Sequence, residues 1–262
     1  MKTIAFYANA QKPCAKSVLE NLRTIAASLE IETREDGDAD VLIALGGDGT
    51  FLRAVRAFPE TPVLGINIGG LGYLSSVGKD SCRDALVALR EGRYTISERR
   101  LLEANGKFTA LNDIVVTREL TGHAAQLDLS ADGKLVTRYM ADGLIFATPT
   151  GSTAYSLAAG GPVLMPDSRS IVITPMNPHA LGIRPLVISD EIRLSATVRP
   201  RTDGNQVRVG VYADGENVLT LGEGESVEIA TAKKTAKIIE LEGYDPYDVL
   251  ARKLGWSGSN VI

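Results

Sequence analysis

The residues of this chain best suited to chemistry are Gly46-Gly47-Asp48-Gly49-Thr50, which directly follow an apolar run at 41–45. Apolar residues then recur at 51, 52, 55 and 58, which is helical spacing. The pattern predicts a buried strand, a tight glycine turn and a helix, and backbone N–H groups at such a turn bind phosphate. We therefore expect phosphate contacts at Gly46, Gly47, Gly49 and Thr50.

Asp48 does not fit a pure phosphate cradle, because a fixed carboxylate there repels phosphate. We expect Asp48 to face a hydroxyl group or a metal ion instead. The alternative interpretation is an ordinary strand-to-helix turn in which the aspartate makes a local hydrogen bond.

Three further clusters of polar residues lie beside apolar strands. They are Leu111-Asn112-Asp113, the segment from Ala141-Asp142-Gly143 to Ser156, and Ala213-Asp214-Gly215-Glu216. Taken singly, these are explained by a strand-edge turn, by hairpin turns at Asp142-Gly143 and Asp214-Gly215, and by a helix cap at 150–153. Together they supply carboxylates, an amide and hydroxyls, which suit a ligand with ribose, amide and phosphate parts.

The elements that position these clusters change character near residue 95. Residues 1–95 alternate strand and helix patterns, which predicts a parallel α/β domain. Glycines with the spacing Gly-x-Gly-x-x-Gly are absent after every predicted strand, so the common dinucleotide fingerprint is missing.

Residues 96–241 have the alternation and turn residues of antiparallel strands, including Asn105-Gly106 and Asp132-Gly133. They predict a β-sandwich domain of two packed sheets. Asp245-Pro246 then opens a helix in the tail 242–262, which we expect to pack back on the first domain. The predicted strands of this half are 108–117, 124–130, 134–140, 143–148, 171–175, 191–198, 206–213, 225–230 and 234–241.

Composition narrows the class of protein. The 262 residues are 44% hydrophobic with a formal net charge of −4 and no long basic run, so we expect no nucleic-acid partner. The sequence contains no stretch of the ~20 apolar residues that a membrane span requires. Two cysteines far apart, and a first strand with no signal peptide before it, predict a cytoplasmic protein. With only two histidines, any metal is expected to be a hard cation such as Mg²⁺.

The order of the motifs resembles that of the NAD kinases of bacteria over nearly the whole chain. Gly-Gly-Asp-Gly alone is weak evidence, since phosphofructokinases and diacylglycerol-type lipid kinases have similar turns. The string from Asp142 to Ser156 is far more specific. The resemblance is carried by Gly46-Gly47-Asp48-Gly49-Thr50, Asn112-Asp113, the 142–156 string, Pro178-His179 and Arg184-Pro185.

The resemblance implies transfer of the γ-phosphoryl group of ATP to the 2′-hydroxyl of the adenosine ribose of NAD, with a divalent metal, in a cleft between two domains. It implies that Asp48 is the catalytic aspartate that accepts the hydroxyl proton. It also implies a homo-oligomer, a dimer or a tetramer. The substrate contacts it implies are Asp48, Gly49 and Arg53 near the phosphates, Asn112 and Asp113 near the nicotinamide half or the ribose, and His123, Met140, Asp142, Thr153, Ala154, Tyr155, Ser156, Leu157 and Ala158.

Four positions depart from the family pattern. Asp113 stands where many members have glutamate, Tyr73 where phenylalanine is common, Met140 where several have a basic residue, and Glu216 where glutamine is common. Met140 and Glu216 leave substrate preference open, including NAD against NADH, and the phosphoryl donor could be ATP or polyphosphate. The alternatives are a lipid kinase, for which the sequence has no basic amphipathic helix, and a non-catalytic dinucleotide sensor.

Overall fold

The computed structural model describes residues 1–9, 14–35, 39–70, 72–75, 77–119, 124–200 and 207–256. The chain divides into two compact units. The first comprises Met1–Glu98 together with the segment from Ala236 onward, and the second comprises Arg99–Thr235. Residues 236–241, which sequence analysis assigned to the second domain, thus group with the first unit.

The strands and helices are numbered in chain order. The strands are β1 (Thr3–Ala8), β2 (Glu32–Arg34), β3 (Val41–Gly46), β4 (Val63–Asn67), β5 (Val77–Gly78), β6 (Tyr94–Ala104), β7 (Phe108–Ala110), β8 (Asp113–Arg118), β9 (Ala125–Ala131), β10 (Lys134–Ala141), β11 (Gly143–Ala147), β12 (Ser170–Met176), β13 (Leu186–Ser189), β14 (Leu194–Val198), β15 (Val209–Ala213), β16 (Glu216–Leu221) and β17 (Ser226–Leu241). The helices are α1 (Ala15–Ser28), α2 (Asp48–Ala57), α3 (Cys82–Glu91), α4 (Tyr155–Ala158) and α5 (Pro246–Leu254), with 3₁₀ turns at Lys79–Ser81 and Thr150–Thr153.

The first unit is built on a parallel sheet, as the sequence predicts. Its strands lie in the order β2, β1, β3, β4, and β4 also pairs in parallel with β5 and with the last part of β17. All residues of β3 and β4 are buried, which accounts for their uninterrupted apolar sequences. Their carboxyl ends therefore lie at one edge of the sheet, where the turn at 46–50 and the loop after β4 both begin.

Helix boundaries in the first unit follow from local chemistry. Gly92 ends α3 with φ +73, in the left-handed region that glycine adopts without strain. Asp245 caps α5 by accepting a hydrogen bond from the backbone N–H of Tyr247, and Pro246 takes the first helical position. Val249 and Leu250 are the buried residues of α5. The prediction of a carboxyl-terminal helix that belongs with the first domain is confirmed.

The second unit consists of two antiparallel sheets. In one sheet β10, β9, β14 and the first part of β17 are neighbours, and in the other the order is β13, β12, β11, β8, β15, β16. Buried side chains from both sheets, including Leu127 and Leu144, form a single apolar core, as expected of a sandwich. The predicted hairpin turns are confirmed at Asn105-Gly106 and Asp132-Gly133, where all four residues have positive φ.

The structure corrects several sequence predictions. The segments 225–230 and 234–241 form one continuous strand, β17, because the lysines between them lie on an exposed part of that strand. Residues 108–117 are divided into β7 and β8 at Leu111-Asn112. No strand was predicted at the positions of β2, β5, β6, β13 and β16. Asp142-Gly143 is not a hairpin turn, since it joins β10 in one sheet to β11 in the other.

Candidate functional site

Asp48 is the first residue of α2 and follows directly on β3. Its carboxylate accepts three backbone hydrogen bonds from the loop after β4. Tyr73 N donates to Oδ2 at 2.8 Å, and the amides of Leu74 and Ser75 each donate to Oδ1 at 3.1 Å. Sequence analysis offered a local hydrogen bond as the alternative for this residue, but the contacts join segments 25 to 27 positions apart.

Glycines make these close approaches possible. A Cβ on Gly72 would lie 2.1 Å from Asp48 Oδ1, so only glycine fits beside the carboxylate. A Cβ on Gly46 would lie 2.1 Å from Thr50 Oγ1, and Thr50 is buried. The contact between Gly46 and Thr50 thus accounts for both residue types by packing alone. Gly49, in contrast, is exposed with open space around it.

Two buried polar atoms lie next to the Asp48 carboxylate. Asn67 accepts a hydrogen bond from Gly69 N through Oδ1, but its Nδ2 has no partner among the described residues. The hydroxyl of Ser75 is buried and likewise unpaired within the part of the chain described. A Cβ built on Gly72 would contact both Asp48 and Asn67 Nδ2, which puts that amide beside the carboxylate. In this region the half-buried Asp48 can supply an acceptor to a polar ligand, whereas the two unpaired atoms are buried.

In the second unit, Asp214 performs a comparable structural role. It lies in a hairpin turn with Gly215, at φ +48 and +82, as one of the two interpretations of the sequence predicted. Its carboxylate accepts hydrogen bonds from the backbone N–H groups of Leu111 and Asn112 at 2.8 Å and of Asp113 at 3.3 Å. Asp214 thereby fixes the backbone that presents the side chains of Asn112 and Asp113.

The segment 148–153 lies on the same stretch of backbone. Thr148 donates its N–H to the carbonyl of Asn112 and its hydroxyl to the carbonyl of Leu111. A Cβ on Gly151 would lie 1.9 Å from the Asn112 carbonyl oxygen, so this glycine is required by the contact. Three of the predicted clusters, 111–113, 148–153 and 214, are thus brought together.

Asp113 is a buried carboxyl group in this assembly, 6% exposed. Burial, together with the charge of nearby Asp214, raises the pKa of Asp113 from 3.8 to about 7. A carboxyl group with such a pKa changes its charge near neutral pH, which is uncommon outside functional sites.

Asp142 lies at the other end of β11 from Thr148. A strand rises about 3.4 Å per residue, which separates the two residues by roughly 20 Å. The Asp142 carboxylate pairs with Arg118 at 2.8 Å and accepts a hydrogen bond from Asn177 Nδ2 at 2.9 Å. Met140 is close by along the chain, 43% exposed, and its carbonyl accepts a hydrogen bond from His179 N.

The remaining predicted site residues differ in their exposure. Ser156 is fully buried and shares a hydrogen bond with Thr174, so its hydroxyl serves the interior of the unit. Tyr155 is 46% exposed. Of the other predicted contacts, Gly47, Thr153, Ala154 and Leu157 are half-buried, Arg53 and Ala158 are exposed, and His123 lies outside the described residues.

Sequence analysis missed the partners of the two aspartates. Residues 73–75 bind the Asp48 carboxylate, and residues 111–113 bind the Asp214 carboxylate, through backbone N–H groups. Because almost every residue type has such a group, the sequence does not reveal these partners. The one available indication was Gly72, in a second glycine-rich turn at a strand end. Lys253 was also missed. Its ammonium group lies 5.4 Å from the centre of the Tyr73 ring, a cation–π contact between α5 and the loop.

The described residues contain no group of three or more His, Cys, Asp or Glu side chains that would hold a metal ion. Mg²⁺ bound with a nucleotide needs only one or two carboxylates, since phosphate and water oxygens complete its shell. In the same part of the chain, no helix is long and apolar enough to cross a membrane.

A Gly-Gly-Asp-Gly turn at the carboxyl end of a parallel strand, in a chain that continues into an antiparallel sandwich, defines a kinase that phosphorylates hydroxyl groups. Comparison with known proteins narrows this class. Residues 1–94 match the family model of the ATP-NAD kinase N-terminal domain, and residues 111–241 match that of the ATP-NAD kinase C-terminal domain. The chain belongs to the NAD kinase family.

Curated relatives agree with this assignment. The chain is 34% identical to an NAD kinase of Syntrophotalea carbinolica, over 98% of this chain and 99% of the relative. It is 40% identical to an NAD kinase of Desulforamulus reducens, over 86% of this chain and 80% of the relative.

Solved structures agree on the fold. Yeast NADH kinase complexed with NADH has a TM-score of 0.89 at 24% identity, over 99% of this chain and 89% of that one. An NAD kinase from Archaeoglobus fulgidus in complex with ATP has a TM-score of 0.81 at 23% identity, over 98% of this chain and 100% of that one. The predicted fold class is confirmed, and a lipid kinase is excluded in favour of the NAD kinase family.

Proposed function

We propose that this protein transfers the γ-phosphoryl group of ATP to the 2′-hydroxyl of the adenosine ribose of NAD, with Asp48 as the proton acceptor. The observation that carries the proposal is the fixed carboxylate of Asp48 at the first turn of α2. Among the described residues, Oδ1 accepts two N–H groups whereas Oδ2 accepts one. A carboxylate oxygen offers about two lone pairs, so Oδ2 keeps one for a hydroxyl.

The proposed step is a direct displacement at phosphorus. The 2′-oxygen forms a bond to the γ-phosphorus as the bond from that phosphorus to the β,γ-bridging oxygen breaks, and ADP leaves. The proton of the 2′-hydroxyl passes to Asp48 Oδ2. Such reactions depend mainly on positioning and charge neutralisation, so a carboxylate that orients the hydroxyl and accepts the proton late is sufficient.

The substrate contacts proposed for the first unit are Gly49 and Arg53, which are exposed on α2 near Asp48. The phosphate contacts expected at Gly46, Gly47, Gly49 and Thr50 are retained in the proposal, and packing is a further reason for the residue types at Gly46 and Thr50. For the second unit we propose the side chains of Asn112 and Asp113, whose backbone Asp214 holds in place. The remaining proposed contacts are His123, Met140, Asp142 and the segment 153–158.

Mg²⁺ is proposed to arrive with ATP. Bound to the nucleotide, it would neutralise charge on the β- and γ-phosphate oxygens during transfer. Asp48 is the carboxylate of the glycine turn, but Oδ1 already accepts two backbone N–H groups and the remaining lone pair of Oδ2 is assigned to the 2′-hydroxyl. Its contribution to such an ion is therefore expected to be indirect, through water.

The test is direct. The purified chain of 262 residues is incubated with NAD, ATP and MgCl₂, and NADP is measured with a dehydrogenase specific for NADP. Parallel reactions replace ATP with polyphosphate, and NAD with NADH. Production of NADP that Asp48→Asn abolishes supports the proposal. A chain that binds NAD in calorimetry and yields no NADP with either donor is a dinucleotide sensor instead.

The proposal extends to location and assembly. Two free cysteines, one of them buried, suit the reducing cytoplasm, and this is the compartment that we propose. We also propose a homo-oligomer, a dimer or a tetramer. Sedimentation equilibrium over a range of protein concentrations tests the assembly, and a monomer at all concentrations would reject it.

A further inference from the structure

The Asp48 carboxylate is held by a loop that has its own support. The described part of this loop comprises residues 72–75. It makes two close contacts with the rest of the first unit, and each contact depends on a glycine. Gly72 lies against Asp48, and a Cβ on Gly65 of β4 would lie 2.7 Å from Ser75 Cα and 2.8 Å from the Leu74 carbonyl oxygen. Ser75 is fully buried at this contact. The loop is therefore pressed between β4 and the carboxylate, with its N–H groups directed at Asp48.

The third support comes from α5. Lys253 places its ammonium group 5.4 Å from the centre of the Tyr73 ring, and the backbone N–H of Tyr73 donates to Asp48 Oδ2. The amino-terminal end of α5 is fixed by the cap at Asp245, and the helix buries Val249 and Leu250. Lys253 is thus attached to a rigid element, and its cation holds the aromatic ring next to the catalytic turn.

We propose that residues 72–75 and Lys253 form a clamp that positions the Asp48 carboxylate for proton transfer. Lys253 is a positioning residue, because it acts through Tyr73 and does not touch the reacting atoms. Because the loop donates to both carboxylate oxygens, rotation of the carboxylate would break at least one of these hydrogen bonds. The proposal rests on the proton-acceptor role proposed for Asp48.

Two sets of variants test the clamp. Gly72→Ala forces the carboxylate away from its position while leaving its chemistry intact. Displacement by about 1 Å typically costs on the order of 10²-fold, and we expect this loss in kcat with the KM for NAD changed by less than about threefold. Gly78→Ala is the matched control, since a Cβ there meets nothing within 4 Å and its φ is negative.

Lys253→Met keeps an unbranched apolar side chain about as long as the aliphatic part of lysine and removes the cation. We expect kcat to fall about two- to fivefold, the range of an exposed cation–π contact, and Lys253→Arg to restore it. Arg252→Ala is the control on the same helix, since Arg252 pairs with Asp248 within α5. Hydrogen exchange of the amides of residues 73–75, followed by NMR, should accelerate in Lys253→Met and not in Lys253→Arg.

The outcomes separate this proposal from the one it rests on. If Asp48→Asn keeps its turnover, Asp48 is not the proton acceptor, whatever the clamp does. If Asp48→Asn is inactive but Gly72→Ala and Lys253→Met match their controls, the clamp proposal is wrong while the role of Asp48 stands. Should Gly72→Ala fail to fold, the two Lys253 variants still test the clamp. Equal kcat values and equal amide exchange rates in Lys253→Met and Lys253→Arg would overturn the proposal.

Discussion

The backbone N–H of Asp113 donates a hydrogen bond to Asp214 Oδ1, so the buried carboxyl group of Asp113 belongs to a residue that the Asp214 carboxylate holds in place. Burial and the charge of Asp214 together raise the pKa of Asp113 to about 7. The same turn that holds the site backbone in place therefore also makes one of the predicted substrate contacts sensitive to pH.

We expect the free energy of unfolding to fall as the pH rises from about 4 to about 7. In this window the folded state retains the proton on Asp113 that the unfolded state loses, so the contribution of Asp113 to stability is complete below the ordinary pKa of 3.8 and is lost above about 7. Chemical denaturation at several pH values measures the trend, and Asp113→Asn should flatten it. A slope that Asp113→Asn leaves unchanged would assign the effect to other groups.

Asp214→Asn should destabilise the second unit by about 1–3 kcal/mol. Asparagine has one carbonyl oxygen for three N–H groups, and its NH₂ group would face a donor. Loss of the Asp214 charge should also lower the pKa of Asp113, although burial still raises it. Faster hydrogen exchange at 111–113 would report the released backbone.

Asp132→Asn is the matched control for that variant. Asp132 occupies an equivalent hairpin turn at φ +47, and its Oδ1 accepts one hydrogen bond, from Arg193 N. Asparagine preserves both features, so little change is expected. Equal destabilisation by the two substitutions would mean that Asp214 contributes no more than any turn aspartate.

Asp48→Asn is expected to lower kcat on the order of 10²–10⁴-fold, because an amide cannot accept the proton. The dissociation constant of NAD, measured by calorimetry, should stay within about tenfold, roughly 1.4 kcal/mol. From the structure we also expect the variant to have a lower melting temperature, because the NH₂ group of asparagine would face one of the loop N–H groups. The exposed Asp80→Asn in the same unit is the control. Loss of NAD binding together with turnover would make Asp48 a ligand-positioning residue.

Met140→Arg should lower the preference for NAD over NADH. An added cation repels the positive nicotinamide ring of NAD and not the neutral ring of NADH, and an interaction on the order of 1 kcal/mol changes the ratio of kcat/KM values roughly fivefold. Val136→Arg on the same strand is the control, because Val136 is 44% exposed and Met140 43%. Identical ratios in the two variants would remove Met140 from the substrate contacts.

The sequence predicted features whose cause is local. The Gly46–Thr50 turn, the cap at Asp245 and the hairpins with positive φ depend on neighbouring residues, and each lies where it was expected. Strand β6 was missed because Glu98, Arg99 and Arg100 interrupt its alternation. Features that depend on long-range contacts could not be predicted in this way. The pairing of Asp142 with Arg118 and Asn177 is an example. It depends on the pairing of β11 with both β8 and β12, which bring together residues far apart in the sequence.

The division of the chain into a continuous and a discontinuous unit has a consequence for biosynthesis. Residues 99–235 are contiguous, so the second unit has all its strands as soon as they leave the ribosome. The first unit begins with residue 1 but still lacks the end of β17 and helix α5, which are translated after the whole of the second unit. Lys253 cannot reach Tyr73 until the second unit has been translated. The order of synthesis therefore leaves the Asp48 carboxylate without the support that we propose for it until the second unit has been made.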